Sequence, residues 1–253
     1  MLKIAYCLYG QPRNLENGHK IISTFVANHD VDFYYHTWTL DENNFYSYSY
    51  SYRELNLEEL RGDSNIISKI NKLYNPKAYI SELSRVFEYE NNEKFKNSLL
   101  FKNTNEFNKD NNKISNVFSN YYSKQQVRNL LKETLENEKI DYDFVILSRF
   151  DMLKEINIDL SSLNTKKVYV SNLHNPRYIF SDAILIMNIE NYLEILNVYD
   201  NLENLLNNNT VNELVNSYNE KLVFVPESLL FGNYLYYFKN LKKIEYIDLP
   251  NFY

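Results

Sequence analysis

The chain of 253 residues carries a net charge of −6 and a single cysteine. One cysteine excludes an internal disulfide framework and a cysteine-rich zinc site. An acidic balance without a basic stripe argues against a general nucleic-acid binder, so we expect no nucleic-acid partner. Hydrophobic residues make up 44% of the chain and charged residues 24%, which is enough apolar material for a sizeable core.

The expected location of the protein is the cytoplasm. The sequence has no run of about 18 or more apolar residues, so we predict no transmembrane segment. The N-terminus has no basic segment followed by a long apolar run, so we predict no signal peptide. Abundant Tyr (24 residues), with frequent Asn, Lys and Ile, is typical of an AT-rich genome and indicates a low-GC bacterium or a large virus. For a viral protein, the expected location is the host cytoplasm or the virion.

The first elements predict a parallel α/β sheet. Residues 2–10 are almost entirely apolar and lead into Gly-Gln-Pro-Arg, a pattern typical of a buried strand that runs into a loop. A helical pattern follows at about 15–28, and an aromatic-rich strand is predicted at 31–36. Strand, helix and strand in succession form the usual start of a parallel sheet with crossover helices.

The middle of the chain, residues 39–115, is less regular and rich in asparagine. We predict that it is a variable insertion at the periphery, outside the central sheet. The polar-aromatic repeat at 46–52 is expected to be an exposed loop or edge strand, with an aromatic sugar platform as the alternative. Short helices are predicted at 54–61 and 66–73, and a short strand at 77–82.

The second half of the chain returns to a regular alternation of helices and strands, beginning with a long amphipathic helix at about 120–139. The further predicted elements are strands at 144–147, 167–171 and 179–187, helices at 189–207, 210–219 and 226–239, and a last strand at 243–248. Neither repeats nor a linker are visible. We therefore predict one α/β domain over residues 1–253, with a mostly parallel, Rossmann-like central sheet and a peripheral insertion.

An arginine and an aspartate follow the buried strand at 144–147, in the sequence Arg149-Phe-Asp151. In open parallel sheets, ligands bind at the carboxyl ends of the strands. Charges at such an edge are costly unless they meet a charged ligand, a metal or each other. The arginine fork suits a diphosphate, and one aspartate suits Mg²⁺ or Mn²⁺ whose other ligands are phosphate oxygens and water. The alternative is an Arg–Asp pair that caps the strand.

A second acidic pair, Asp141 and Asp143, has the spacing of the common Asp-x-Asp metal motif. It precedes the strand and therefore lies at the amino end, away from the edge where ligands bind. We expect this pair to turn the chain out of the preceding helix.

Two further polar segments leave strands at the predicted carboxyl edge. In the first, Gly10 lets the backbone approach a ligand, Gln11 follows it in the same loop, and Arg13 adds a charge that attracts phosphate. A plain strand-to-helix turn is the alternative. In the second, His36 and Trp38 are interpreted as a wall facing a base or sugar, with a buried aromatic beside a hydrogen-bonded histidine as the alternative.

Two acids are candidates for the base of a transfer reaction. Asp182 stands at the start of an otherwise apolar strand, where a strand-edge or capping acid is the alternative. Glu227 stands in the first turn of a helix that starts with proline, where it could simply favour the helix dipole. No Ser-His-Asp arrangement or Gly-x-Ser-x-Gly elbow supports a hydrolase of that kind.

Several of these segments belong to a set of six short motifs with a distinctive order and spacing. They are Gly10–Arg13, His36–Trp38, Tyr121–Lys124, Tyr142–Asp151, Ser181–Asp182 and Pro226–Leu230. Taken together, the motifs resemble a family of GT-A-like glycosyltransferases found in bacterial surface-polysaccharide clusters and in large DNA viruses. The resemblance covers residues 1–38 and 119–235 and leaves the middle unmatched.

The resemblance implies a nucleotide-diphospho-sugar transferase of GT-A-like fold. It implies a nucleoside-diphosphate-sugar donor, a glycan or glycoprotein acceptor, and a divalent metal, Mn²⁺ or Mg²⁺. The segment Arg149-Phe-Asp151 stands where relatives carry an Asp-x-Asp metal motif, of which only the second acid is present here. Asp151 is thus the implied ligand of the metal and diphosphate.

The same resemblance implies roles for the other motif residues. Residues 10–13 would border the nucleotide, and Ser123 and Lys124 would face the nucleotide-sugar from the long helix. Asp182 or Glu227 would be the base that takes the proton of the acceptor hydroxyl, an effect of about 10²–10⁴-fold in general.

Two other functions fit the same residues. A nucleotide- or sugar-binding module of this fold that has lost turnover would bind a nucleoside diphosphate without releasing or transferring sugar. A metal-assisted hydrolase of phosphate esters would use the same aspartate and release phosphate without an acceptor.

Overall fold

The computed structural model describes residues 1–39, 65–83, 87, 92–107, 112–152, 155–172, 180–181 and 183–248. Within these ranges the strands are β1 (Lys3–Gly10), β2 (Asp30–Thr39), β3 (Ala78–Leu83), β4 (Phe144–Arg149), β5 (Val168–Asn172), β6 (Ile184–Met187) and β7 (Ile244–Asp248). The helices are α1 (Leu15–Val26), α2 (Ile66–Tyr74), α3 (Glu93–Lys96), α4 (Leu99–Phe107), α5 (Asn112–Asn137), α6 (Ile189–Ile195), α7 (Val198–Leu206), α8 (Asn209–Ser217) and α9 (Pro226–Phe238).

The strands form one mostly parallel sheet with the order β3-β2-β1-β4-β6-β5-β7. Only β6 runs antiparallel to its neighbours in the described sheet. The part β3-β2-β1-β4 has the Rossmann order. In this order β2 and β3 are added on one side of β1, and β4 lies on its other side. The predicted fold class, α/β with a mostly parallel Rossmann-like sheet, is confirmed.

The central strands are apolar on both faces because helices cover the sheet on both sides. Successive side chains of a strand point to opposite faces, so β1 supplies Ala5 and Cys7 to one core and Ile4 and Tyr6 to the other. All four are fully buried. Such near-continuous apolar runs are typical of parallel strands, which is why β1 and β4 are readable from sequence.

Each face of the sheet has its own helices. The 26-residue helix α5 packs one core through residues such as Val127 and Leu131, together with α6 to α9. Helices α1 and α2 cover the other core, where Ile22 and Ile70 are fully buried. Among the described residues, none of the helices is both long and apolar enough to span a bilayer.

The segment 39–115 contributes to the central sheet, contrary to our expectation. Its strand 78–83 pairs in parallel with β2 and forms the sheet edge, while α2 matches the helix predicted at 66–73. The alternating half-exposed side chains of β3 are those of an edge strand, which covers the otherwise open side of β2. The predicted elements at 46–52 and 54–61 lie outside the described residues.

Three other boundaries differ from the predictions. The helix predicted at 189–207 is two helices, because the helical conformation is interrupted at 196–197, between α6 and α7. The strand predicted from residue 179 begins at Ile184, and residues 173–179 and 182 lie outside the described part. Helix α5 begins at Asn112, about two turns before its predicted start.

The single cysteine provides a direct test of the core. Cys7 is fully buried in β1, and burial raises the pKa of its thiol to about 12. Because the thiolate is the reactive form, alkylation of the folded protein at neutral pH is expected to be at least about 10³-fold slower than in urea. Comparable rates in the two conditions, measured with a chromogenic thiol reagent, would contradict this packing.

Candidate functional site

A cleft of about 120 Å³ lies at the carboxyl edge of the sheet, at the ends of β1 and β4. The parallel pairing places Tyr9 beside both His36 of β2 and Arg149 of β4, so β1 and β4 end at nearly the same level, and β2 continues to Thr39. This is the switch point at which α/β sheets of this order bind ligands. The cleft is lined by Tyr9, Gly10, Gln11, Arg13, Trp38, Asn116, Ser119, Asn120 and Arg149.

The charge of this cleft is opposite to that of the protein. Among the described lining residues, Arg13 and Arg149 are charged and no carboxylate is present. The chain as a whole has a net charge of −6. A positively charged cleft on an acidic protein favours an anionic ligand, and guanidinium forks match phosphate geometry.

Asp151 ties the two arginines together behind the cleft. Its carboxylate accepts two hydrogen bonds from Arg149, from Nε at 2.7 Å and from an Nη at 2.6 Å. An Nη of Arg13 lies 3.1 Å from the same carboxylate. The prediction that Arg13 and Asp151 share one edge of the sheet is confirmed, and the alternative Arg149–Asp151 pair is also present.

The donor set around Asp151 does not fit a divalent metal. A carboxylate has about four lone-pair positions, and three N–H groups of the two arginines already occupy this one. The metal role of Asp151 stays a prediction, and its ion pairs do not support it.

The other acidic pair lies at the opposite edge, as expected. The Asp143 carboxylate accepts a 2.7 Å hydrogen bond from the backbone N–H of Lys3. That bond joins the loop before β4 to the start of β1, at the amino ends of both strands.

Helix α1 positions the segment that carries Asp151 by packing unusually close to it. A Cβ built on Gly18 would lie 1.8 Å from the backbone oxygen of Phe150, so only glycine fits at this position. One residue earlier, the Asn17 side chain donates a 3.4 Å hydrogen bond to the Met152 carbonyl. Sequence reasoning missed Gly18, although a glycine inside an amphipathic helix is a signal of close approach.

Ser123 and His36 hold the end of β1 in place. The backbone N–H of Gly10 donates to the Ser123 hydroxyl at 2.8 Å, and the same hydroxyl lies 2.7 Å from Nδ1 of His36. Thr37 donates a 3.0 Å hydrogen bond to the Gly10 carbonyl. Gly10 itself has φ 92°, which suits glycine. Both Ser123 and His36 are fully buried, so they orient the loop instead of lining the cleft.

Lys124 is a buried cation next to the cleft. Its ammonium lies 4.8 Å from the ring centre of Tyr9 and 4.7 Å from that of Tyr121. The Tyr121 hydroxyl donates to the carbonyl of Pro226, which brings the first turn of α9, and with it Glu227, towards this end of α5. Asp182 lies outside the described residues, so its role stays a prediction, as does that of Glu227.

The remaining lining of the cleft combines an aromatic side chain with amides. Trp38 is 2% exposed, and its Nε1 has no hydrogen-bond partner among the described residues. Its ring stacks on Tyr122 at 5.5 Å. Two asparagines and a serine from the first turns of α5 complete the lining, and sequence analysis missed them because it placed the helix start later. They are Asn116, Ser119 and Asn120.

Comparison with known proteins gives distant likenesses to solved structures. No family model and no curated protein sequence matches the chain. Among solved structures, the chain is similar to the galactosyltransferase LgtC in complex with donor and acceptor sugar analogs, at 12% sequence identity and a TM-score of 0.35. The match covers 97% of this chain and 73% of that chain. Both identity and TM-score are too low to assign a donor or acceptor to this protein.

Proposed function

We propose that this protein is a glycosyltransferase that moves a sugar from a nucleoside-diphosphate-sugar donor to a glycan or glycoprotein acceptor. The observation that carries the proposal is the two-arginine cleft without a described carboxylate, at the β1/β4 switch point of an acidic protein. Such a cleft suits a ligand that combines two phosphates with polar, ring-shaped groups. A nucleotide-sugar has this composition, and the GT-A-like motifs of the sequence point to the same class.

In this proposal each side of the cleft has its own task. Arg13 and Arg149 bind the diphosphate and neutralise the charge that grows on the leaving nucleoside diphosphate. Trp38 and the amides of α5 border the nucleoside or the sugar. Asp182 or Glu227 takes the proton of the acceptor hydroxyl.

Turnover of a panel of nucleoside-diphosphate-sugars tests the proposal. The purified chain is incubated with donors that differ in base and sugar, a mixed glycan acceptor, and either Mn²⁺ or EDTA. We expect release of nucleoside diphosphate from at least one donor, and loss of that release in Arg149→Gln. If no donor of the panel is turned over, the proposal is wrong.

A binding module without turnover is the second candidate. It is favoured by one observation, that none of the described residues lining the cleft is an acid that could serve as a base. This candidate predicts nucleoside diphosphate binding that depends on Arg13 and Arg149, with no release of sugar from any donor.

A further inference from the structure

We propose that the diphosphate is held by Arg13 and Arg149 without a divalent metal, and that Asp151 is a positioning residue for the two arginines. The inference rests on the proposed function, because it concerns how the donor is bound. It departs from the role of metal ligand that the sequence motif implies for Asp151.

The position of Asp151 relative to the cleft is the first observation. Both arginines line the cleft, whereas Asp151 is not among its lining residues. The side chain of Asp151 is 12% exposed, and that of Arg13 is 13% exposed. A ligand in the cleft therefore contacts the guanidinium groups of the two arginines. The Asp151 carboxylate contacts the arginines and not the ligand.

The geometry of the pairing is the second observation. Nε and one Nη of Arg149 each donate to a different oxygen of Asp151, which fixes the guanidinium plane. Arg13 reaches the oxygen that also accepts from the Arg149 Nη. One carboxylate therefore holds the two guanidinium groups side by side, at the ends of two adjacent strands.

The charge balance is the third observation. Two guanidinium groups and one carboxylate leave one positive charge in a partly buried cluster. A divalent cation at Asp151 would be repelled by both arginines, and three of the roughly four lone-pair positions of the carboxylate already face their N–H groups. A diphosphate is attracted by the same cluster, because its negative charge is compensated by groups that are already in place.

Titration of the purified 253-residue chain with inorganic pyrophosphate in EDTA tests metal-free binding. Pyrophosphate is the probe because the base of the donor is unidentified. We expect saturable binding that Mn²⁺ does not strengthen. Arg13→Gln is expected to weaken it by about tenfold or more, since hydrogen bonds to a charged group are lost. Binding that appears only with Mn²⁺ would overturn the inference.

Asp151→Asn separates a positioning role from a metal ligand. We expect pyrophosphate affinity in EDTA to stay within about threefold of the wild type, because two effects offset each other. Removal of the negative charge of Asp151 favours binding of the anion, whereas loss of its ion pairs leaves the two arginines less well positioned. With a donor that the enzyme accepts, KM should also stay within about threefold of the wild type. We expect kcat to fall by about tenfold or more, because the arginines no longer hold the leaving diphosphate in the reactive orientation. Asp143→Asn, which removes a carboxylate at the amino edge, is the matched control and should leave both constants unchanged.

Failure of this inference and failure of the proposed function give different results. Pyrophosphate binding in EDTA without turnover of any donor would support the arginine site and refute the transferase. Turnover that requires Mn²⁺, with pyrophosphate binding abolished in Asp151→Asn, would support the transferase and refute the arginine-only site. A lower melting temperature in Asp151→Asn with unchanged kcat well below that temperature would assign Asp151 a purely structural role and also overturn the inference.

Discussion

Replacing Arg149 with lysine is expected to lower the rate of sugar transfer by about 10²–10³-fold, the usual effect of losing one donor that stabilises developing negative charge. Lysine keeps the positive charge but loses the planar fork, so it cannot hold Asp151 with two parallel hydrogen bonds and face a diphosphate at once. The measurement is the initial rate of nucleoside diphosphate release at saturating donor.

Stability should change little in the same variant. The Arg149 side chain is 29% exposed, and Asp151 keeps its contact with Arg13. Lysine keeps a positive charge beside Asp151, whose side chain is 12% exposed, so the expected loss is about 1 kcal/mol, which corresponds to roughly 2–4 °C in melting temperature. A large loss of stability without loss of transfer would mean that Arg149 only caps the strand, the alternative that the sequence left open.

Arg128→Lys is the matched control for the chemistry of this substitution. Arg128 is also a partly buried arginine of the same domain, but its Nε donates to the Leu193 carbonyl at 2.6 Å, in the contact between α5 and α6. Its replacement is expected to lower the melting temperature and leave transfer unchanged. Opposite responses of the two arginine variants would place the function at the cleft, and equal loss of transfer in both would point to a general effect of the substitution.

The sequence predicted those parts of the fold whose side chains repeat with a clear period. Strands β1 and β4 are apolar along nearly their whole length, and the segments that follow them carry the charged residues Arg13 and Asp151. The rule that ligands bind at the carboxyl ends of parallel strands then places these two segments next to each other, at the same edge of the sheet. Their contact at 3.1 Å follows from two local patterns and one general rule of topology.

Contacts between distant residues that no general rule of topology links could not be predicted. Ser123 and Gly10 are 113 residues apart, and no local pattern shows that the hydroxyl of one accepts from the backbone of the other. The same holds for the position of β3, because its alternating exposure fits an isolated hairpin as well as a sheet edge. The first turns of α5 were missed because an asparagine-rich stretch has low helix propensity, which packing against the sheet overrides.

Gly18→Ala is expected to destabilise the protein, although alanine is the better helix former. In an uncrowded helix this substitution would stabilise by about 1 kcal/mol. Here the new methyl group would lie 1.8 Å from the Phe150 carbonyl oxygen and 3.3 Å from the backbone nitrogen of Met152. These are backbone atoms, which cannot rotate away as a side chain can, so α1 or the exit of β4 has to move. Overpacking of this kind costs typically about 1–3 kcal/mol and occasionally more.

The same displacement should reach the cleft. Asp151 lies between Phe150 and Met152, the two residues against which Gly18 packs, and its carboxylate holds both arginines. We therefore expect urea unfolding to show a net loss of about 2 kcal/mol, roughly 4–8 °C in melting temperature. We also expect a loss of pyrophosphate affinity at temperatures where the variant is folded. Ser23→Ala, on the same helix and away from this contact, is the control and should leave both quantities unchanged. A more stable Gly18→Ala protein with normal affinity would show that α1 does not approach the β4 exit this closely, and that the arginine pair is positioned without it.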